Sequence, residues 1–175
     1  RDLLNVGMLN FEITRVGVED LRGKGFAEEE IREVLAGVTQ IMNRVELESL
    51  AEATLIDGVP KTLRSLKAEG LKIGIMTRSC REYTEKVLAN FGLREYIDSI
   101  AARDDVENPK PNPEHAIHLL RLLGISAREA LLVGDHWLDG LCAKDANLRF
   151  ILLRSREQNL GLLKECDYQA IDNIE

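Results

Sequence analysis

The sequence predicts an α/β fold, in which a doubly wound parallel sheet is covered by helices on both faces. Two observations lead to this prediction. From residue 56 to residue 175, short apolar segments alternate with amphipathic helical segments, which is the order typical of parallel sheets. Residues 1–55 have a mostly helical pattern and no strand-like segment. We therefore expect a small helical subdomain over residues 1–55 and an α/β core over residues 56–175.

The helical subdomain is predicted to contain two helices. Residues 1–16 carry apolar side chains at loosely helical intervals. Between residues 28 and 45 the apolar side chains recur at steps of three and four, which is the period of an amphipathic helix. The segment RGKGF lies between the two, and its glycines indicate a turn. Its Arg22 and Lys24 are candidates for contact with an anionic substrate.

The α/β core is predicted to begin with the helix VPKTLRSLKAEG, which has Pro60 in its first turn and Gly70 just after its end. The later helices are expected in REYTEKVLANFG, NPEHAIHLLRLLG and GLCAKDAN. The strands expected between them are LKIGIMT, YIDSIAARDD, ALLVGD and RFILLR. Ser126 and Glu129, just before the third of these strands, have the spacing of a capping box.

Composition and charge restrict the class of protein. The chain has 175 residues, of which 45% are apolar, and this is enough for one well-packed domain. The net charge is −7 with both signs interspersed, which argues against a nucleic-acid-binding surface. The three cysteines are scattered, as is typical of a reducing compartment, and no segment reaches the roughly 18 apolar residues of a membrane span. We expect a cytoplasmic protein without nucleic-acid or membrane partners.

Polar residues stand at the predicted carboxyl ends of successive strands. Thr77 and Arg78 end the first strand. Asp104 and Asp105 end the second, and Asp135 ends the third. Ligands of open α/β sheets bind beyond these strand ends, so the residues are candidates for one site. Each of them also has a structural explanation, because a threonine or an aspartate after a strand usually caps a helix.

Two further residues make the group chemically coherent. Lys110 lies in the loop NPKPNPE, whose prolines restrict the backbone on both sides of the lysine. Asp139 follows Asp135 by about one helical turn and adds a carboxylate. Carboxylates bind Mg²⁺, an ammonium group neutralises a phosphoryl group, and a hydroxyl donates a hydrogen bond to it. The order of these residues along the chain favours a phosphoryl-transfer site.

The segments GIMTRS, KPNPE and VGDHWLDGLCAKDAN resemble three successive motifs of the haloacid dehalogenase-like hydrolases, most closely the phosphoglycolate phosphatase type. The resemblance extends from Asp57 to the end of the chain and includes CDYQAID as a late strand. It implies a Rossmann-like core with a small helical cap inserted after the first strand, so that residues 1–55 would be the cap.

The same resemblance implies the roles of the site residues. Thr77 takes the phosphate-binding role, and Lys110 takes the role of the catalytic and substrate-binding lysine. Asp135 and Asp139 take the positions of the Mg²⁺-binding carboxylates. Arg78 stands where many relatives have asparagine, and two roles are open for it, namely contact with the substrate and support of the structure.

The family's nucleophile motif, Asp-x-Asp-Gly-Thr, is absent from the sequence. In the family its first aspartate attacks phosphorus and its second acts as acid and base. LIDGVP is no substitute, because a leucine stands at the nucleophile's position. The resemblance implies that the motif ends a central strand, flanked by the strands that end in Thr77 and Asp135. We expect this strand upstream of Arg1, since without it backbone groups on both sides would be unpaired.

The resemblance implies a Mg²⁺-dependent phosphatase that hydrolyses a small phosphorylated metabolite through an aspartyl-phosphate. Two alternatives stay open. A catalytically inactive phosphate-binding or regulatory protein would keep the pocket without the nucleophile. A 2-haloacid dehalogenase is less favoured, because displacement of halide does not need a metal-binding pair of carboxylates. The three histidines, which are His115, His118 and His136, are expected on helix surfaces or loops.

Overall fold

The computed structural model describes residues 10–154, 160–164 and 166–174. The chain divides into two compact units, Arg1–Glu48 and Ser49–Glu175. The first unit contains the helices α1 (Asn10–Gly23) and α2 (Glu28–Glu48), which contact each other. The second unit contains the strands and the remaining helices.

The helices of the first unit are joined by the predicted turn. Gly25 has φ 84°, a left-handed conformation that glycine adopts without a steric cost. Arg22 forms an ion pair with Glu28 across the turn, and Lys24 forms one with Asp20. The amphipathic helix predicted from residue 28 is confirmed and continues to residue 48. The helix expected over residues 1–16 lies partly outside the described residues, and α1 extends beyond it to residue 23.

The second unit has the predicted alternation of helices and strands. Its helices are α3 (Val59–Ala68), α4 (Arg81–Asn90), α5 (Pro113–Leu123) and α6 (Trp137–Asp145). Its strands are β1 (Gly74–Met76), β2 (Ser99–Ala101), β3 (Leu131–Gly134), β4 (Arg149–Leu153) and β5 (Gln169–Ile171). Each pairing between the described strands is parallel. The α/β fold class is confirmed.

Helix ends follow the local signals in the sequence. The side chain of Asn112 accepts the backbone N–H of Glu114 and caps the start of α5, and Gly124 ends this helix in the left-handed conformation. The predicted capping box is also present, since the Ser126 backbone N–H and hydroxyl both donate to the Glu129 carboxylate. It closes a short 3₁₀ turn before β3.

The strands form two sheets within the part of the chain that the structure describes. β1 pairs with β2, with Ile75 opposite Ile100. The other sheet has the order β3–β4–β5, with Val133 opposite Ile151. No described strand connects β1 to β3. The sheet is therefore interrupted between the strands that precede Thr77 and Asp135.

The β1–β2 sheet is covered on both faces. One face packs with α3 and α4 in a cluster that includes Ile75, Ile100 and Leu88. The other face packs with α5, where Ala101 contacts Leu119 and its neighbours. These alternating contacts follow the period of two in a strand.

The β3–β5 sheet is packed on one face in the described residues. Phe150 and Leu152 of β4 are buried with Ala143 of α6. On β3, Leu131 and Val133 are 48% and 43% exposed. The prediction of helices on both faces therefore holds for β1–β2, whereas β3 has exposed apolar side chains.

Candidate functional site

Lys110 links the ends of the two sheets. Its Nζ donates to the carbonyl oxygen of Met76, the last residue of β1, at 3.1 Å. The same Nζ donates to Oδ1 of Asp139, in the first turn of α6, at 2.6 Å. The Lys110 and Asp139 side chains are only 14% and 6% exposed, so the ion pair is largely buried away from water. One lysine therefore bridges the chain segments that follow β1 and β3.

Asp139 lies directly beside the end of β3. A Cβ atom at Gly134 would be 2.5 Å from its Cγ and 2.6 Å from its Oδ2. This oxygen accepts the backbone N–H of His136 at 3.1 Å, while Oδ1 accepts from Lys110. Both carboxylate oxygens are thus engaged within the protein. The aspartate caps α6 and holds the lysine at the same time.

Gly134→Ala should destabilise the protein by about 1–3 kcal/mol, because the added methyl group overlaps the Asp139 carboxylate and forces it away from Lys110. Urea unfolding measures the change. Gly37→Ala in α2 is the control, since no atom lies within 4 Å of its new Cβ, and we expect it to stabilise by about 0.5–1 kcal/mol. Equal stability of the Gly134→Ala protein and the unmodified chain would contradict the close approach of Asp139 to β3.

Thr77 and Arg78 follow β1. The backbone N–H of Thr77 donates to the carbonyl oxygen of Ala101 at 3.0 Å, and its hydroxyl oxygen accepts the backbone N–H of Ser79. Arg78 donates from Nη1 to the carbonyl oxygen of Lys110 at 2.7 Å. Of the two roles open for Arg78, which are contact with the substrate and support of the structure, this hydrogen bond corresponds to the second. Asp135, the residue after β3, is exposed.

His115 is fully buried, with 0% exposure, so its expected place on a helix surface or loop is wrong. Its Nδ1 accepts the backbone N–H of Lys110 at 3.1 Å. Its Nε2 lies 2.9 Å from the carbonyl oxygen of Ala101. The sequence does contain a signal for this burial, because His115 shares the four-residue spacing of the buried Leu119 and Leu123 on α5.

Burial lowers the pKa of His115 to about 4, although its hydrogen bond to Ala101 acts in the opposite direction. The unfolded chain binds a proton at a pKa of about 6.5, while the folded chain does so only near 4. The stability gained from the neutral ring is therefore complete above about pH 6.5 and is lost as the pH falls toward 4. We expect the free energy of unfolding to fall by about 3 kcal/mol over this range.

Urea unfolding of the chain and of His115→Leu at several pH values tests this expectation. The variant should show a flatter dependence between about pH 6.5 and pH 4, because it lacks the buried imidazole. Identical pH profiles for the two proteins would contradict it.

The partner of Asp104 and Asp105 is Arg81. Asp104 accepts the backbone N–H of Arg81 at the start of α4, at 2.8 Å. Asp105 pairs with the Arg81 guanidinium. Burial, the largest single effect, raises the pKa of the Asp105 carboxyl. The hydrogen bonds from Arg81 and from the Ala102 backbone N–H, together with the charge of Arg81, outweigh it, so the net shift of the pKa is downward. The two carboxylates stabilise the start of α4, and the candidate site consists of Thr77, Lys110 and the aspartates after β3.

The carboxylates of this site could serve a divalent metal ion. Among the described residues no group of three or more histidine, cysteine, aspartate or glutamate side chains has the arrangement of a metal site. Mg²⁺ usually binds through one or two carboxylates and keeps several water ligands, so Asp135 and Asp139 are chemically suitable. Asp135 is the more accessible of the two, because both oxygens of Asp139 are already hydrogen-bonded.

A parallel α/β core with these residues beyond its strand ends places the protein in the class of Rossmann-like α/β proteins. Residues 14–153 match the family described as "Haloacid dehalogenase-like hydrolase", and the chain belongs to this family. The resemblance found in the motifs is thereby confirmed.

Named relatives share about half of the chain. Pyrophosphatase PpaX from Halalkalibacterium halodurans is 42% identical over 93 residues, which are 53% of this chain and 43% of that protein. Pyrophosphatase PpaX from Bacillus cereus is 40% identical over 91 residues, which are 52% of this chain and 42% of that protein. The matched segment spans less than half the length of either relative.

Solved structures show the same fold. A hydrolase of the haloacid dehalogenase superfamily from Geobacter sulfurreducens has a TM-score of 0.61 at 28% identity and covers 73% of this chain and 61% of its own. CbbY from Rhodobacter sphaeroides, in complex with phosphate, has a TM-score of 0.66 at 24% identity and covers 82% and 64%. In the described residues no helix has the length and apolar character of a membrane span.

Proposed function

We propose that this chain is the cap and the larger part of the core of a Mg²⁺-dependent phosphatase that hydrolyses a small organic phosphomonoester. The observation that carries the proposal is the position of Lys110, whose ammonium group is held between the end of β1 and Asp139. It lies where a phosphoryl group beyond the strand ends would need a positive charge.

Each residue of the site has a separate role in binding the phosphoryl group. The Lys110 ammonium neutralises charge on the phosphoryl oxygens. The Thr77 hydroxyl oxygen already accepts from Ser79, so its own proton is oriented away from Ser79 and can be donated to a phosphoryl oxygen. Together they bind and orient the group for in-line attack. Asp135 and Asp139 would hold Mg²⁺, which supplies further positive charge to the phosphoryl oxygens when it is bound.

The interrupted sheet supports a nucleophile from a segment upstream of Arg1. Between β1 and β3 no described strand is present, so each of these strands has an unpaired edge in the described part of the chain. A parallel strand in this position would end beside Thr77 and Asp135, because the carboxyl ends of parallel strands lie at one edge of a sheet. An aspartate at its end would reach the phosphate held by Lys110.

The proposal also covers the cell compartment and the range of candidate substrates. The three scattered cysteines form no disulfide with one another, which favours the cytoplasm. The pyrophosphatase names of the relatives add inorganic pyrophosphate to the small phosphorylated compounds worth assaying. The alternative, a regulatory protein that binds phosphate without turnover, would share the lysine cluster and lack the nucleophile.

The test is hydrolysis of p-nitrophenyl phosphate and pyrophosphate by the 175-residue chain and by a form extended upstream of Arg1. We expect no turnover from the chain itself, because binding phosphate without a nucleophile leaves the attack to bulk water. The extended form should turn over, and only with Mg²⁺. Comparable rates from both would place the nucleophile within the 175 residues. An extended form that binds phosphate without hydrolysing it would favour the regulatory alternative.

A further inference from the structure

His115 is hydrogen-bonded both to the loop that carries Lys110 and to a carbonyl group that also binds Thr77. Its Nδ1 accepts the Lys110 backbone N–H at 3.1 Å, and its Nε2 contacts the Ala101 carbonyl oxygen at 2.9 Å. The same carbonyl oxygen accepts the Thr77 backbone N–H at 3.0 Å. The imidazole therefore stands between the backbone of the residue that follows β1 and the backbone of the lysine loop.

One form of the ring satisfies both contacts. Because Nδ1 accepts a hydrogen bond from Lys110, it carries no proton, and in the neutral ring the proton then lies on Nε2 and is donated to Ala101. The ring is completely buried, and burial keeps it neutral at physiological pH. Any rotation of the ring would leave a buried polar atom without its partner, so the ring has one orientation.

Resting on the proposed function, we infer that His115 is a positioning residue that fixes the separation of the Lys110 ammonium and the Thr77 hydroxyl. A lysine side chain has several rotatable bonds, so its ammonium is only as well placed as the backbone that carries it. Here the Lys110 N–H is held by His115 and its carbonyl by Arg78. Because the histidine is bonded to the carbonyl that also holds Thr77, movement of the lysine loop is tied to β1 and β2.

Three substitutions separate the two hydrogen bonds of the ring. His115→Asn keeps an oxygen acceptor near the position of Nδ1 and loses the contact with Ala101. His115→Gln extends its amide toward the position of Nε2 and loses the acceptor for Lys110. His115→Leu removes both bonds and keeps an apolar side chain of similar volume. His118→Leu is the matched control, since this residue lies on the same helix and is only half-buried.

The measurements use the isotopically labelled 175-residue chain. NMR records the hydrogen exchange of the Lys110 amide and the chemical shifts of its side-chain Cε and Nζ. A titration with inorganic phosphate gives the affinity. In the Leu and Gln variants we expect faster amide exchange, altered side-chain shifts and a phosphate affinity about tenfold weaker, which corresponds to the loss of one buried hydrogen bond. The Asn variant keeps the acceptor for the Lys110 amide but loses the bond to Ala101, so its amide exchange should stay slow while its phosphate affinity also falls about tenfold. His118→Leu should stay within about twofold of the unmodified chain.

Each outcome decides the inference. Unchanged Lys110 side-chain shifts in His115→Leu, or an Asn variant that binds phosphate as tightly as the unmodified chain, would overturn it. If His115→Leu does not fold, the Asn and Gln variants, which each break one of the two bonds, carry the test. If the unmodified chain does not bind phosphate, the proposed function fails, while the Lys110 side-chain shifts still show whether His115 positions the lysine.

Discussion

Lys110→Met should lower the free energy of unfolding by about 3–5 kcal/mol, which is the range observed when one partner of a buried ion pair is removed. The Asp139 carboxylate is 6% exposed and would lose the ammonium group that neutralises it. In an extended form that has the proposed phosphatase activity, the same substitution should also abolish turnover, because the phosphoryl group loses its neutralising cation. Urea unfolding and hydrolysis of p-nitrophenyl phosphate measure the two effects.

Two controls separate the buried charge from other causes. Lys86 and Glu82 form an ion pair with an N···O distance of 2.7 Å, close to the 2.6 Å of the buried pair, but these side chains are 50% and 61% exposed. Lys86→Met should therefore cost at most about 0.5 kcal/mol. Adding Asp139→Asn to Lys110→Met removes the unpaired charge and retains an oxygen for the His136 N–H, so it should restore much of the loss. A Lys110→Met protein as stable as the unmodified chain would show that the ion pair is not buried as described.

Asp135→Asn should reduce the Mg²⁺-dependent turnover of the extended form by about a hundredfold or more. The amide is a poor ligand for Mg²⁺, and weaker metal binding leaves the negative charge of the phosphoryl group less well neutralised. Stability should change by less than about 0.5 kcal/mol, since Asp135 is an exposed residue. Steady-state kinetics over a range of Mg²⁺ concentrations, together with urea unfolding, measure both quantities.

Asp145→Asn provides the matched control for the metal-binding role. Asp145 is exposed at the other end of α6, and its replacement should leave turnover unchanged. If Asp135→Asn retained full activity at low Mg²⁺, Asp135 would not be a ligand and the metal would have to bind elsewhere.

The helices and strands of the core could be predicted because their signals are local. The helix from Pro113 to Leu123 has an apolar face with a four-residue period, a capping asparagine and a terminal glycine within a few positions of each other. The interruption of the sheet has no local signal of this kind and is expected only from the family resemblance, which implies a central strand between those that end in Thr77 and Asp135. It depends on which strands pair, and pairing between segments far apart in the chain leaves no local pattern.

The polar residues of the candidate site were predictable as a group, whereas their partners were not. Lys110, Thr77 and Asp139 follow from their order relative to the strands. Asp104 and Asp105 follow β2 as expected, but Arg81, about 24 residues earlier, contacts both carboxylates, and this partner has no signal in the sequence. Long-range partners of this kind are decided by tertiary packing, which a single sequence does not record.

The bridge made by Lys110 has a consequence for the coupling of folding to ligand binding. The two acceptors of its ammonium group lie 34 and 29 residues away, one in β1 and the other in α6, the helix that follows β3. An anion that binds the lysine in this arrangement therefore requires both parts of the core to be assembled. By mass action such a ligand stabilises only the fully assembled state, by about 2.7 kcal/mol at a hundred times its dissociation constant. A form of the chain with one sheet unfolded would gain nothing from the ligand. An anion that binds there would therefore lower the population of partly folded chains and slow the degradation of the protein by proteases.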